Sequence, residues 1–128
     1  MHAWTRVNAP GLPELPVFCH AAVAGDTIYV SGMLGVEDDF SSVVAGGIGP
    51  ETRAALAHVE RILRACGASL ADVVKVSAYL PDLGEWEAMN AAYVDVFGAH
   101  TPARIAVGCD ALLFGARVEL DCIAYRAG

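Results

Sequence analysis

Two charged residues near the C-terminus are hard to explain as ordinary surface. Arg104 lies in the apolar segment 101–107, and Glu119 lies in the β-prone run 117–125. A guanidinium is a fixed fork of hydrogen-bond donors that matches a carboxylate. A nearby glutamate could hold or activate a water molecule. Together, the two residues predict a small pocket for an anionic metabolite.

Two strands, near 103–108 and 117–125, must position this pair. Side chains alternate between the faces of a strand, so one set in the last strand is expected to meet the helices: Val118, Leu120, Cys122 and Ala124. Glu119 then points to the other face, and the same logic groups Arg104 with Ala106. We therefore predict that Arg104 and Glu119 share the helix-free face, with a salt bridge at a subunit contact as the alternative.

The remaining elements indicate an α+β fold in a single domain spanning 1–128. A Gly-containing turn between segments 21–23 and 27–30 predicts a hairpin, and a short strand could lie at Val43-Val44. Helical periodicity and end signals predict a helix from about 50 to about 66, begun by Pro50 with Glu51 at its positive end. This order of elements predicts two helices on one face of a single sheet.

A strand over 73–80 and a second helix over 85–97 complete the set. Asp82 or Gly84 is expected to cap the helix. Four large side chains fall near one stripe of it and predict core contacts rather than a ligand-binding face: Trp86, Met89, Tyr93 and Phe97.

Composition excludes several function classes. The net charge is -7 with only 8 Lys and Arg, which disfavours nucleic-acid binding. No apolar run approaches the ~20 residues of a membrane helix. Hydrophobic residues make up 55% of the chain, which fits either a surface covered by another subunit or an Ala- and Val-rich monomer.

Cysteine and motif patterns add mainly negative predictions. Four cysteines lie at 19, 66, 109 and 122 without a CxxC, and no signal peptide precedes them, so we expect a reduced, cytoplasmic protein with cysteines as small core residues. The histidines show no metal-ligand spacing, so we predict no metal. The stretch 46–49 lacks a phosphate-loop ending. Ser31 lies in no nucleophile elbow and is expected to form a hydrogen bond at a strand end.

Several segments, taken in order and spacing, resemble the Rid family of reactive intermediate deaminases, also called YjgF. They are 20–23, 25–32, 46–53 and 67–75, then Asn90 with Tyr93 and Phe97, and finally 101–104. The resemblance runs nearly end to end. It implies a chorismate-mutase-like fold, a homotrimer with pockets between subunits, and no cofactor.

Well-studied members of this family hydrolyse 2-imino acids to 2-keto acids and ammonia. The resemblance implies that Arg104 grips the substrate carboxylate and that Glu119 positions water. Backbone groups at Ser31, Gly32 and Ala106 would help to hold substrate and water.

Three positions depart from the family pattern. Phe18 stands where many members have tyrosine, Met33 where glutamine is common, and Ala106 where cysteine, serine or threonine is common. Phe18 and Met33 make the predicted pocket more apolar.

Three functions stay open at this point. One is imine deamination, a hydrolysis of a C=N bond. Another is a non-catalytic trimer that binds a small carboxylate-bearing metabolite. The third is a pathway-specific enzyme with a bulkier substrate. The family's association with ribonuclease activity finds little support in the acidic balance of the chain.

Overall fold

The computed structural model describes residues 3–127 as a six-stranded sheet with two helices packed on one face. The elements in chain order are β1 (Thr5–Val7), β2 (Ala21–Ala24), β3 (Thr27–Leu34), α1 (Ile48–Ala65), β4 (Val73–Leu80), α2 (Trp86–Phe97), β5 (Ala103–Gly108) and β6 (Glu119–Tyr125). Across the sheet they run β1-β2-β3-β6-β4-β5. Neighbours are antiparallel except β4 and β5, which are parallel and joined through α2. The predicted α+β architecture is confirmed.

Both predicted helices are present, with shifted starts. α1 begins two residues early because Gly47, with φ 95, turns the chain into it, and Pro50 is its third residue. The second helix opens with a 3-10 turn, Leu83–Glu85, before α2. The predicted Asp82 cap is confirmed, since its carboxylate accepts a hydrogen bond from the Gly84 N–H at 2.8 Å. The short strand predicted at Val43 is reduced to an isolated bridge with Val36.

Strand alternation in β6 builds the core as predicted. The residues that face the helices are at most 4% exposed: Val118, Leu120, Cys122 and Ala124. Burial, with a further contribution from Asp121, raises the pKa of the Cys122 thiol to about 12, so this cysteine stays protonated. Cys66 is likewise buried. Of the four cysteines predicted as core residues, these two are confirmed, whereas Cys19 and Cys109 are only half-buried.

A bulge interrupts β3 where the sequence predicts an end or a bend. Val30 pairs with Cys122 and Met33 with Leu120, so the bulged strand spans three steps against two on β6. The Ser31 hydroxyl donates to the Cys19 carbonyl at 2.7 Å, which confirms its predicted structural hydrogen bond. The strand then continues to Leu34.

Glu51 lies in the first turn of α1, as predicted, and its side chain has a second role. Its side chain is 3% exposed and accepts a hydrogen bond from the Arg117 backbone N–H at 2.8 Å. The Arg117 guanidinium in turn reaches the Glu85 carboxylate at 2.8 Å. The buried carboxylate therefore anchors the start of β6 to α1. Among the described residues, no helix is long and apolar enough to cross a membrane.

Replacing Glu51 should separate its acceptor role from its charge. Glu51→Ala leaves the Arg117 N–H without its partner and should lower the free energy of unfolding by about 1–3 kcal/mol. Glu51→Gln keeps a carbonyl acceptor and should cost less. Urea unfolding at fixed protein concentration measures both, with Asp95→Ala, which removes the exposed Arg53–Asp95 pair, as the control. Equal losses of unfolding free energy in the alanine and glutamine variants would contradict the role of Glu51 as a hydrogen-bond acceptor.

Candidate active site

A cavity of about 310 Å³ opens beside the bulge of β3. Among the described residues that line it, Glu119 is the one that carries a charge, and most others are large and apolar: Phe18, Met33, Leu34, Phe40, Leu113 and Phe114. Its size lies at the lower end of the range of ligand pockets in proteins, about 300–1,000 Å³. An apolar cavity with one acidic group is a candidate site for a small metabolite.

The bulge brings the backbone against the acid. A Cβ placed on Gly32 would lie 2.6 Å from Glu119 Oε2, closer than nonbonded atoms allow. Only glycine therefore lets the carboxylate lie directly beside the backbone here without moving. The bulge and the missing side chain at Gly32 together leave room for the carboxyl group against the backbone at the wall of the cavity.

The carboxyl group of Glu119 has a raised pKa. Burial raises its pKa above the ordinary range, and the like charge of Asp121, two residues along the same face of β6, raises it further. A carboxyl group of this kind holds a proton more readily than an exposed glutamate does. Perturbed acids in clefts are typical of groups that exchange protons with a substrate or a bound water.

The predicted face of Arg104 is wrong. Arg104 pairs with Val76 on β4, and Val76 pairs with Cys122 on β6, which places all three side chains on the helix face. Glu119 pairs with Tyr79 and lies on the opposite, open face. The two Cα atoms are two strands and three residues apart, about 14 Å. A single chain does not bring the two groups together.

Aromatic rings hold the Arg104 guanidinium. Its Cζ atom lies 4.8 Å from the centre of the Tyr93 ring and 5.7 Å from that of Trp86, both on α2. These are cation–π distances. In the described part of the chain Arg104 forms no salt bridge. The rings therefore orient the guanidinium and leave its donors available to a carboxylate.

The predicted stripe of large side chains on α2 packs partly into the core and partly against the Arg104 guanidinium. Met89 and Tyr93 are buried, as predicted, but Trp86 is 42% exposed and borders Arg104. Burial raises the pKa of Tyr93 to about 12, although the nearby Arg104 lowers it, so the hydroxyl stays neutral. That hydroxyl and the Asn90 side-chain oxygen are buried without a hydrogen-bond partner among residues 3–127.

The structure thus divides the predicted site residues into two groups. Phe18, Gly32, Met33 and Glu119 line one cavity. Arg104 and Ala106 lie on the other face of the sheet.

Some candidate residues lie outside the cavity, and some residues of the site were not predicted. Ser31 and Cys109 do not line the cavity. Sequence reasoning missed the apolar walls from Leu113 and Phe114, since no local pattern marks them. It also missed the contact of Trp86 and Tyr93 with Arg104, although both residues lay on the predicted stripe.

The family described as endoribonuclease L-PSP matches residues 12–126. The chain belongs to this family, which is also called the Rid or YjgF family.

Individual relatives agree with this assignment. A RutC family protein from Pyrococcus horikoshii is 35% identical over 93% of both chains. The human protein named 2-iminobutanoate/2-iminopropanoate deaminase is 33% identical over 95% of this chain and 88% of its own length. The crystal structure of the YjgF gene product from E. coli superposes with a TM-score of 0.88 at 26% identity, covering 96% of this chain and 99% of that one. The predicted YjgF-type fold is confirmed.

The effect of Asp121 on the pKa of Glu119 can be tested directly. Asp121→Asn removes the neighbouring like charge, so the pKa of Glu119 should fall while burial still keeps it above the ordinary range. Carboxyl-carbon NMR titration measures the change, with Asp110→Asn as the control. An unchanged Glu119 pKa in the Asp121 variant would contradict the contribution of Asp121.

Proposed function

We propose that this protein hydrolyses reactive 2-imino acids to 2-keto acids and ammonia. The observation that carries the proposal is the Glu119 carboxyl group held against Gly32 at the wall of an apolar cavity. The name of the human relative supports the reaction type. The substrate carboxylate needs a cation, and Arg104 has the required free donors.

Because Arg104 and Glu119 lie on opposite faces of one sheet, the active site must combine two subunits. β5 is an edge strand, so a neighbouring subunit can approach Arg104 from the side of the sheet. The open face of the sheet also exposes apolar side chains, including Tyr29, Ile105 and Tyr125. Such a face favours burial against another copy of the chain. We propose a homotrimer in which Arg104 of one subunit faces the cavity of the next.

Each group would have a defined task in the reaction. The guanidinium binds the substrate carboxylate through two hydrogen bonds and so fixes the imine carbon in the cavity. Glu119 accepts a proton from water as the water oxygen bonds to that carbon. Glu119 then returns this proton to the nitrogen of the resulting carbinolamine, the C–N bond breaks and ammonia leaves, and the hydroxyl group gives its proton to Glu119 as the carbonyl forms. The protonated imine is already electrophilic, so one carboxylate suffices for the proton transfers.

A second candidate is a non-catalytic trimer that binds a small carboxylate. The favouring observation is that Arg104 is oriented by rings and free of ion pairs, which suits anion binding whether or not chemistry follows. Phe18, which stands in the cavity where many family members have tyrosine, removes a hydroxyl group and also favours binding without catalysis.

The role of Arg104 is tested by its removal. Generating 2-iminobutanoate in situ with a dehydratase and trapping the surviving imine with semicarbazide should show less trapped product with wild type. Arg104→Ala should lower the activity by about 10²-fold or more, since it removes a charge-assisted contact to the substrate. Arg64→Ala, on the exposed surface of α1, is the matched control. Wild-type protein that binds 2-oxobutanoate but leaves the imine untouched would favour the second candidate.

The shared site is tested by mixing two inactive variants. Subunits carrying Arg104→Ala and subunits carrying Glu119→Gln are co-expressed and purified as mixed oligomers. If each site takes its arginine and its glutamate from different subunits, random mixing restores about a quarter of the wild-type sites. Each variant alone should stay inactive. No recovery in verified mixed oligomers would rule out the two-subunit site.

A further inference from the structure

We propose that the cavity selects 2-imino acids with bulky apolar side chains, such as those derived from leucine or phenylalanine. The inference rests on the proposed function, because it assigns the substrate class of the same site. Its basis is the chemistry and conformation of the cavity walls.

The walls offer no partner for a polar substrate side chain. The reacting carbon must lie beside Glu119, so the carboxyl end of the cavity is occupied by the chemistry itself. The other described residues that line the cavity are glycine or carry apolar side chains, among them Phe18, Met33, Phe40 and Phe114. A polar side chain placed among them would lose its hydration without gaining a hydrogen bond. An apolar one would gain from leaving water.

In a single chain the cavity also has room for more than a substrate with a methyl side chain. Its volume of about 310 Å³ matches a whole small ligand rather than the space around one carbon. A substrate with a methyl side chain would leave most of the apolar wall in contact with water. A branched or aromatic side chain would cover it, and each added carbon contributes to binding of the transition state.

Two of the wall residues adopt an unusual backbone conformation. Among residues 3–127, the residues other than glycine with positive φ are Phe40 and Phe114, both at φ 61. Bulky side chains rarely adopt this region, where glycine or asparagine is favoured. Both phenylalanines line the cavity. Unfavourable backbone conformations are concentrated at functional sites, and here they accompany two aromatic walls of one cavity.

Phe114 is also accessible from outside. In the single chain it is 59% exposed in a 3-10 turn, beside Leu113, which is 73% exposed. Exposed apolar side chains at the mouth of a cavity can close over an apolar substrate group and lose their own contact with water. This makes Phe114 the residue to vary, because its replacement removes a wall without disturbing the core.

The experiment compares substrates within one enzyme. An L-amino acid oxidase generates the imines of leucine, phenylalanine and alanine in separate reactions, and semicarbazide trapping measures their hydrolysis. For wild type, kcat/KM for the leucine imine should exceed that for the alanine imine by about tenfold or more. Phe114→Asn suits the local backbone, so it should fold, and it should lower this ratio by about threefold or more. Val94→Asn, an exposed apolar position on α2 outside the cavity, should leave the ratio unchanged.

The outcomes separate the two proposals. If the protein hydrolyses the alanine imine as well as or better than the leucine imine, the substrate class is wrong and the deaminase proposal stands. If it hydrolyses none of them, the deaminase proposal fails, and calorimetry with 4-methyl-2-oxopentanoate and 2-oxopropanoate decides the preference. Binding of the branched keto acid that is about tenfold tighter, and weakened in Phe114→Asn, would uphold the apolar cavity, and equal binding would overturn it.

Discussion

The pairing of β5, β4 and β6 determines which face of the sheet each candidate site residue lies on. Val76 lies between Arg104 and Cys122 in the sheet, and directly paired residues share a face. Glu119 is three residues from Cys122, an odd number, so the pleat turns it to the other face. No rotation of side chains alters this parity. A single chain does not place the guanidinium beside the carboxyl group, which is why the proposed reaction takes them from different copies of the chain.

Placing Arg104 and Glu119 on opposite faces of the sheet has a chemical benefit. An arginine and a glutamate on one face at this range could form an ion pair, and a substrate carboxylate would then have to break it. Here the Arg104 cation is stabilised by the Tyr93 and Trp86 rings instead. A cation–π contact orients the guanidinium, and among residues 3–127 it forms no ion pair. Glu119, which forms no ion pair within the same described range, has a raised pKa.

Sequence patterns predicted the fold better than the site, for a physical reason. β6 buries alternate residues, so alternation identified its buried face correctly. β5 carries apolar Ile105 and Val107 on its exposed side, 49% and 37% exposed, and there the alternation of polar and apolar residues misleads. The cavity walls come from segments about 100 residues apart in sequence. Glu51 likewise bonds to a residue 66 positions away, which no local pattern shows.

In the proposed assembly, two opposing effects act on the acid. Packing a second subunit over the open face would remove water from Glu119 and raise its pKa further, whereas an approaching Arg104 from that subunit would lower it. An arginine within ion-pair distance would favour the ionised carboxylate, because charges interact strongly where water is excluded. A bound substrate carboxylate would neutralise the guanidinium, and the protonated imine would take its place as the cation nearest the acid. Glu119 would therefore stay ionised and able to accept the proton of the attacking water.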